Sequence, residues 1–273
     1  MTALGRICLS TTKRVTVMHD GPIAHVVLNR AEKRNALDQA MLEAIAETIE
    51  QLANAGGTRA VVLSGDGAAF CAGLDFMSFA AMLQNPESVD FIARSHGDAN
   101  LFQHVSTGWR DLPMPVITAL HGVAFGGGFQ IMLGADIRVA APHTKFSIME
   151  AKWGLVPDMG GMALMPALAR QDIVRRLSYT AEIFDAAQAL EWGFVTEVTE
   201  DPLARAMELA AQISARSPDG TQVSKRLISN TWGANRKDTL MAESEAQKSV
   251  LGGENQMEAV MANFEKRPPI FKD

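Results

Sequence analysis

Apolar positions along the first two-thirds of the chain follow two different rhythms. The runs "IAHVVLN" (23–29), "RAVVLSG" (59–65), "PVITALHG" (115–122), "ADIRVAA" (135–141) and "KFSIMEA" (145–151) are short and often β-branched. They predict strands buried on both faces, because apolar residues follow one another with little polar alternation. Between the first two runs lies "NALDQAMLEAIAETIEQLANAGG" (35–57). There Leu37, Met41, Leu42, Ile45, Ile49 and Leu52 return at helical spacing until Gly56 and Gly57 end the element. Further helical segments separate the later strands, so the pattern is that of an α/β chain.

Beyond about residue 200 the strand rhythm disappears. "PLARAMELAAQISARS" (202–217), "TQVSKRLISNTW" (221–232), "KDTLMAESEAQKSVLG" (237–252) and the segment from Asn255 to a Pro268–Pro269 stop all carry helical patterns. The expected organisation is a core over 1–200 followed by a helical region over 201–273, an arrangement that often serves oligomerisation. A chain of 273 residues has room for one large domain with such an appendage.

Composition narrows the function classes. Hydrophobic residues make up 47% and charged residues 21% of the chain, as in ordinary globular proteins. A net charge of −6 argues against nucleic acid as the main partner, while leaving room for a local basic patch that takes a phosphorylated ligand. Cys8 and Cys71 offer one pairing at most, which favours reduced thiols and a cytoplasmic setting. The start "MTALGRICLSTTKRV" has no apolar core of a signal peptide, and no run approaches the roughly 18 apolar residues of a membrane span.

Three stretches could carry chemistry. "HGVAFGGGF" (121–129) places Gly126, Gly127 and Gly128 between a strand and a helical pattern. Unpaired N–H groups at a helix start, with glycines that let a ligand come close, suit an anion or a carbonyl oxygen becoming one; tight packing alone is the other explanation. "SGDGAAFCAGLD" (64–75) also follows a strand, but Phe70 stands where a dinucleotide fingerprint needs its third glycine. In "EAKWGLVPDMGG" (150–161), Glu150 and Asp158 stand among apolar and turn-forming residues. Two carboxyls in such surroundings can move a proton between carbons of one substrate. Alternatively, Glu150 is a solvated strand end and Asp158 the cap of a helix over "MGGMALMPALAR". The six histidines show no pair at metal-ligand spacing, and no metal is expected.

Taken together, "LNRAEKRNAL" (28–37), "AFCAGLDF" (69–76), "LHGVAFGGGFQIMLGADIRVA" (120–140) and "FSIMEAKWGLVPDMGG" (146–161) resemble, in order and spacing, the signature segments of the crotonase superfamily of enoyl-CoA hydratases and isomerases. The resemblance implies a spiral of ββα units with a helical C-terminal region that packs into trimers, often paired as hexamers. It implies an acyl-CoA thioester as substrate and no cofactor beyond the coenzyme A that the substrate carries. The thioester oxygen would rest on the N–H groups of Leu74 and Gly127, with Ala72 and Gly126 beside them. Lys33 and Arg34 would meet the CoA phosphates, and Ala72 the adenine. Gln130 stands where the hydratase prototype has one of two catalytic glutamates, the other aligning with Glu150. An amide neither takes nor gives a proton at neutral pH, though it can orient a water or a substrate. The pairing of Glu150 with Asp158 is closer to the dienoyl-CoA isomerase branch. The expected activity is therefore a double-bond shift in an enoyl- or dienoyl-CoA, with water addition to a 2-enoyl-CoA or plain acyl-CoA binding as alternatives.

Overall fold

The computed structural model describes residues 7–11, 14–85, 87 and 89–273, with backbone only at 7–11, 79 and 83. The start of the chain and the Cys8 side chain, which entered the expectations on targeting and thiol state, lie outside the described parts. In chain order the strands are β1 (Ile7–Thr11), β2 (Val15–Asp20), β3 (Ile23–Leu28), β4 (Ala60–Gly65), β5 (Val116–Leu120), β6 (Val123–Phe125), β7 (Ile137–Ala140), β8 (Lys145–Ser147), β9 (Phe184–Asp185) and β10 (Glu197–Val198). The helices are α1 (Gln39–Asn54), α2 (Phe76–Gln84), α3 (Leu101–Asp111), α4 (Gly127–Leu133), α5 (Gly161–Leu164), α6 (Gln171–Thr180), α7 (Ala186–Glu191), α8 (Pro202–Ser214), α9 (Pro218–Thr231), α10 (Arg236–Val250) and α11 (Glu254–Glu265).

A seven-stranded sheet runs β1-β2-β3-β4-β5-β7-β10, antiparallel among the first three strands and parallel from β3 onward. The missing numbers are in a three-stranded sheet, β6-β8-β9. Each turn of the chain thus gives one strand to the large sheet and the next to the small one: β5 then β6, and β7 then β8. After β4 the corresponding piece is a single bridge from Cys71 to Ala124 of β6. This is the expected winding of ββα units.

Both faces of the large sheet are covered, as parallel strands require. Alternate residues choose the face. Val61 and Leu63 of β4 and Val116 and Leu120 of β5 join the main core with α1, α3 and α4, whereas Ala60, Val62, Ile117 and Ala119 pack with Ala206 and Ala210 of α8. The first helix beyond residue 200 therefore covers the sheet, and the core does not stop at the expected 200/201 boundary. The four C-terminal helices form where helical spacing predicts them.

Several elements depart from expectation. β1, β2, β6 and α3 were not expected, and α2 forms over "FMSFAAMLQ", a segment readable only as an apolar stripe. The strand expected over 145–151 stops at Ser147, because its partner β6 ends at Phe125 and the chain turns into α4; Ser147 O takes the last pairing from Gly126 N at 3.0 Å. Glu150 is thus the first residue of a 3-10 turn, Glu150–Trp153, and no strand end. The helix expected after Asp158 is the four-residue α5, with Gly160 at its cap position, so Asp158 caps nothing.

Candidate active site

The segment 71–75 threads between two neighbours. On one side Cys71 N donates to Val123 O (3.0 Å) and Cys71 O accepts from Phe125 N (3.1 Å). On the other, Leu37 N donates to Gly73 O (2.8 Å) and Asp75 N to Leu37 O (2.9 Å). These last two bonds flank Leu74 in a parallel bridge, which turns the Leu74 N–H away from Leu37. β6 ends next door, and Gly126, at φ +51°, swings the chain into α4. Among the described residues no backbone acceptor takes the Leu74 or Gly127 N–H. The two segments touch closely: a Cβ on Gly73 would lie 2.7 Å from Phe125 O and 3.7 Å from Gly127 N.

Close approach explains the glycine run. A Cβ at Gly127 would collide with Met159 Sδ (2.6 Å) and Leu37 Cδ1 (2.7 Å), and one at Gly128 with Cys71 O (2.5 Å). Gly126 instead needs its positive φ. Both free N–H groups border a cavity of about 470 Å³, walled by apolar side chains including Phe76, Met82, Phe91, Phe102 and Trp153. Ala72 and Gly126 border it too.

Glu150 and Asp158 line the same cavity. Glu150 is only 8% exposed. Its Oε1 accepts from Gln130 Nε2 at 2.6 Å, and its buried Oε2 has no hydrogen-bond partner. Burial pushes its carboxyl above the usual range, with Asp158 adding in the same direction and the Gln130 donor opposing. The Glu150 carboxyl also neighbours the glycine loop, since a Cβ on Gly126 would lie 3.5 Å from its Oε1. Asp158 opens onto this cavity and onto a second one beside α3, and surrounding protein raises its carboxyl as well.

Gln130 was expected to meet the substrate, and here the structure corrects the sequence. Its side chain is fully buried and forms no part of the cavity wall. Its oxygen accepts from Met159 N and Gly161 N, both at 2.9 Å, and its nitrogen is spent on Glu150.

Residues 19–273 match the enoyl-CoA hydratase/isomerase family. The chain belongs to that family. It is similar to the mitochondrial Delta(3,5)-Delta(2,4)-dienoyl-CoA isomerase of Mus musculus, with 32% identity over 252 residues that cover 90% of this chain and 77% of that one. It is also similar to enoyl-CoA hydratase EchA19 of Mycobacterium tuberculosis, with 34% identity over 253 residues, 91% of this chain and 92% of the relative. The enoyl-CoA hydratase of Bacillus anthracis superposes with a TM-score of 0.84 at 29% identity, covering 95% of this chain and 99% of that one. The protein is thus an enzyme of the enoyl-CoA hydratase/isomerase family with the crotonase architecture.

The remaining site residues of this hydratase/isomerase family member lie at the rim or behind the wall. Lys33 and Arg34 are exposed on a short turn outside the cavity lining, and Arg34 O accepts from Ala72 N at 2.9 Å, which brings their turn to the rim residue. Asn35, which sequence reasoning passed over, is fully buried; its Nδ2 donates to Asp66 O, Ala69 O and Phe70 O, pinning that turn to the 66–70 loop. An Asn beside the basic pair was the only signal. The fold also joins two histidines that lie eight positions apart. His96 and His104 stack at 4.5 Å near Glu50. The His96–Glu50 contact of 3.8 Å is wider than the roughly 3.4 Å between ligands on a tetrahedral ion with 2.0–2.1 Å bonds, and none of the three residues lines the cavity.

Among the described residues no helix is long and apolar enough to cross a membrane.

Proposed function

We propose that the protein shifts a double bond in an unsaturated acyl-CoA. The observation that carries this is the pair of carboxyls with raised proton affinity, one of them with an unpartnered oxygen, lining the same cavity as two residues whose backbone N–H groups are free. The thioester oxygen rests on the N–H groups of Leu74 and Gly127. One acid, ionised, removes an allylic proton, and the electron pair moves through the carbon chain onto the thioester oxygen as an enolate. The other acid, protonated, returns a proton to a carbon further along. No net charge is left, and the two carboxyls exchange protonation states. Repulsion between them favours this one-proton arrangement. Each oxyanion donor supplies about 3–4 kcal/mol of barrier reduction, the usual scale for such a contact.

The apolar cavity wall supports a hydrocarbon acyl chain. The exposed Lys33–Arg34 turn, tied to the rim at Ala72, supports phosphate binding there. Family membership supports a cytoplasmic trimer or dimer of trimers. A second mode, addition of water to a 2-enoyl-CoA with Glu150 as base, is favoured by the likeness to a protein named as a hydratase.

Turnover of 2-enoyl-, 3-enoyl- and dienoyl-CoA by wild type, Glu150→Gln and Asp158→Asn tests the proposal. Each substitution is expected to cost roughly 100-fold or more in isomerisation rate, the scale for losing a general acid or base. The double variant should be far from additive, because both acids serve one proton path. Full isomerase activity in Asp158→Asn would sink the two-acid route. Charge reversal at Lys33 and Arg34 should weaken acyl-CoA binding in the same preparations; unchanged affinity would remove them from the site.

A further inference from the structure

Gln130 lies outside the cavity wall, yet its carboxamide holds one acid directly and the backbone beside the other. Its Nε2 donates to Glu150 Oε1, and its Oε1 accepts from the N–H groups of Met159 and Gly161, in the turn that Asp158 opens. The orientation of the amide follows from these partners, because backbone N–H groups only donate. Room for the bond is made at Gly161, where a Cβ would lie 2.7 Å from Gln130 Oε1. Gln130 also closes the first turn of α4 through its own N–H to Gly126 O (3.0 Å). That turn begins at Gly127, the proposed oxyanion donor.

We infer that Gln130 is a positioning residue that locks the two acids and the oxyanion turn into one rigid unit, leaving Glu150 Oε2 as the proton-transferring oxygen. The inference rests on the two-acid reading given above. Neither natural neighbour of glutamine does the same job. A glutamate could still accept from Met159 and Gly161, but it would face Glu150 with a second carboxylate oxygen and force the pair to share a proton. A methionine would fill the space and hold neither acid.

Gln130→Met and Gln130→Glu test this, with two readouts. The first is the carboxyl ¹³C titration of Glu150, assigned by its absence in Glu150→Gln, which needs no turnover. The second is the pH profile of isomerisation. In Gln130→Met the Glu150 midpoint should rise, because a donor that favours the ionised form is gone, and the acidic limb of kcat should move to higher pH with it. The variant should lose roughly 10- to 100-fold in kcat, as misplaced catalytic groups do, with KM changed little. Gln130→Glu should show two coupled midpoints in place of one. If both variants fold and merely melt earlier, with the Glu150 midpoint and pH profile of the wild type, the clamp is overturned. If wild type shows no isomerisation but the midpoint still moves in Gln130→Met, the clamp stands and the isomerase reading fails.

Discussion

The Glu150 carboxyl is held on one oxygen and unpartnered on the other, in a cavity wall whose only other charged side chain among the described residues is Asp158. Burial raises its proton affinity, so the folded chain keeps its proton at pH values where the unfolded chain has lost it. The Glu150 contribution to stability should therefore be most favourable below the ordinary carboxylate pKa and be lost as pH rises through the raised one. Glu150→Gln removes that loss. Melting curves between pH 4 and pH 8 should show the variant overtaking wild type toward neutral pH, and parallel curves would contradict the assigned shift. Rate behaves in the opposite sense. In the proposed route with Glu150 as the base, the ionised form is present only above the raised pKa, so the acidic limb of the isomerisation profile should lie above the ordinary carboxylate range. At this scale the sequence was legible in residue type: Leu74, Gly127, Glu150 and Asp158 do border one cavity. It was not legible for Gln130, because a motif position says which residue stands there and not which way its amide is spent.

The element that matters most is the short helix α4 with the strand tail 71–75 against it. Helical spacing fixed α1 and α8–α11 from sequence alone, since each shows an apolar stripe over several turns. α2 and α3 were harder to place: the apolar stripe of "FMSFAAMLQ" suits an ordinary core as well as a pocket wall, and the Asn100–Gln103 capping box that starts α3 was passed over. The strand β6 was hidden by its length of three residues. Gly128 tests the α4 contact directly. A methyl group there would press on Cys71 O, and either α4 or the 71–74 segment must retreat. Gly128→Ala should cost about 1–3 kcal/mol in denaturant unfolding, the range for overpacking a tight contact, and should lower activity further by parting the two N–H donors. Gly56→Ala, where a Cβ meets nothing within 4 Å, is the matched control and should be near neutral. Equal effects at both sites would show that the close approach is not what the glycine run serves.

Over the whole molecule, the C-terminal helices carry apolar side chains that this chain leaves uncovered: Trp232 is 69% and Phe264 81% exposed, with Ile228, Met241 and Met257 also exposed. Several large exposed apolar side chains on one helical region favour association. Light scattering on purified protein should give a trimer or twice that mass, and Trp232→Lys with Phe264→Lys should shift it toward monomer; a wild-type monomer would contradict this assembly. The fold brings Leu74, Gly127, two acids and an apolar-walled cavity to a single place, and the proposed reaction passes a proton between those acids through the substrate. A dienoyl-CoA and a 2-enoyl-CoA incubated in deuterium oxide with wild type and Asp158→Asn test that most directly. The two-acid route should give double-bond migration with deuterium entering the acyl chain and no hydroxyacyl-CoA, and migration and deuterium entry should both be lost in Asp158→Asn. Rapid hydroxyacyl-CoA formation that survives Asp158→Asn would contradict it.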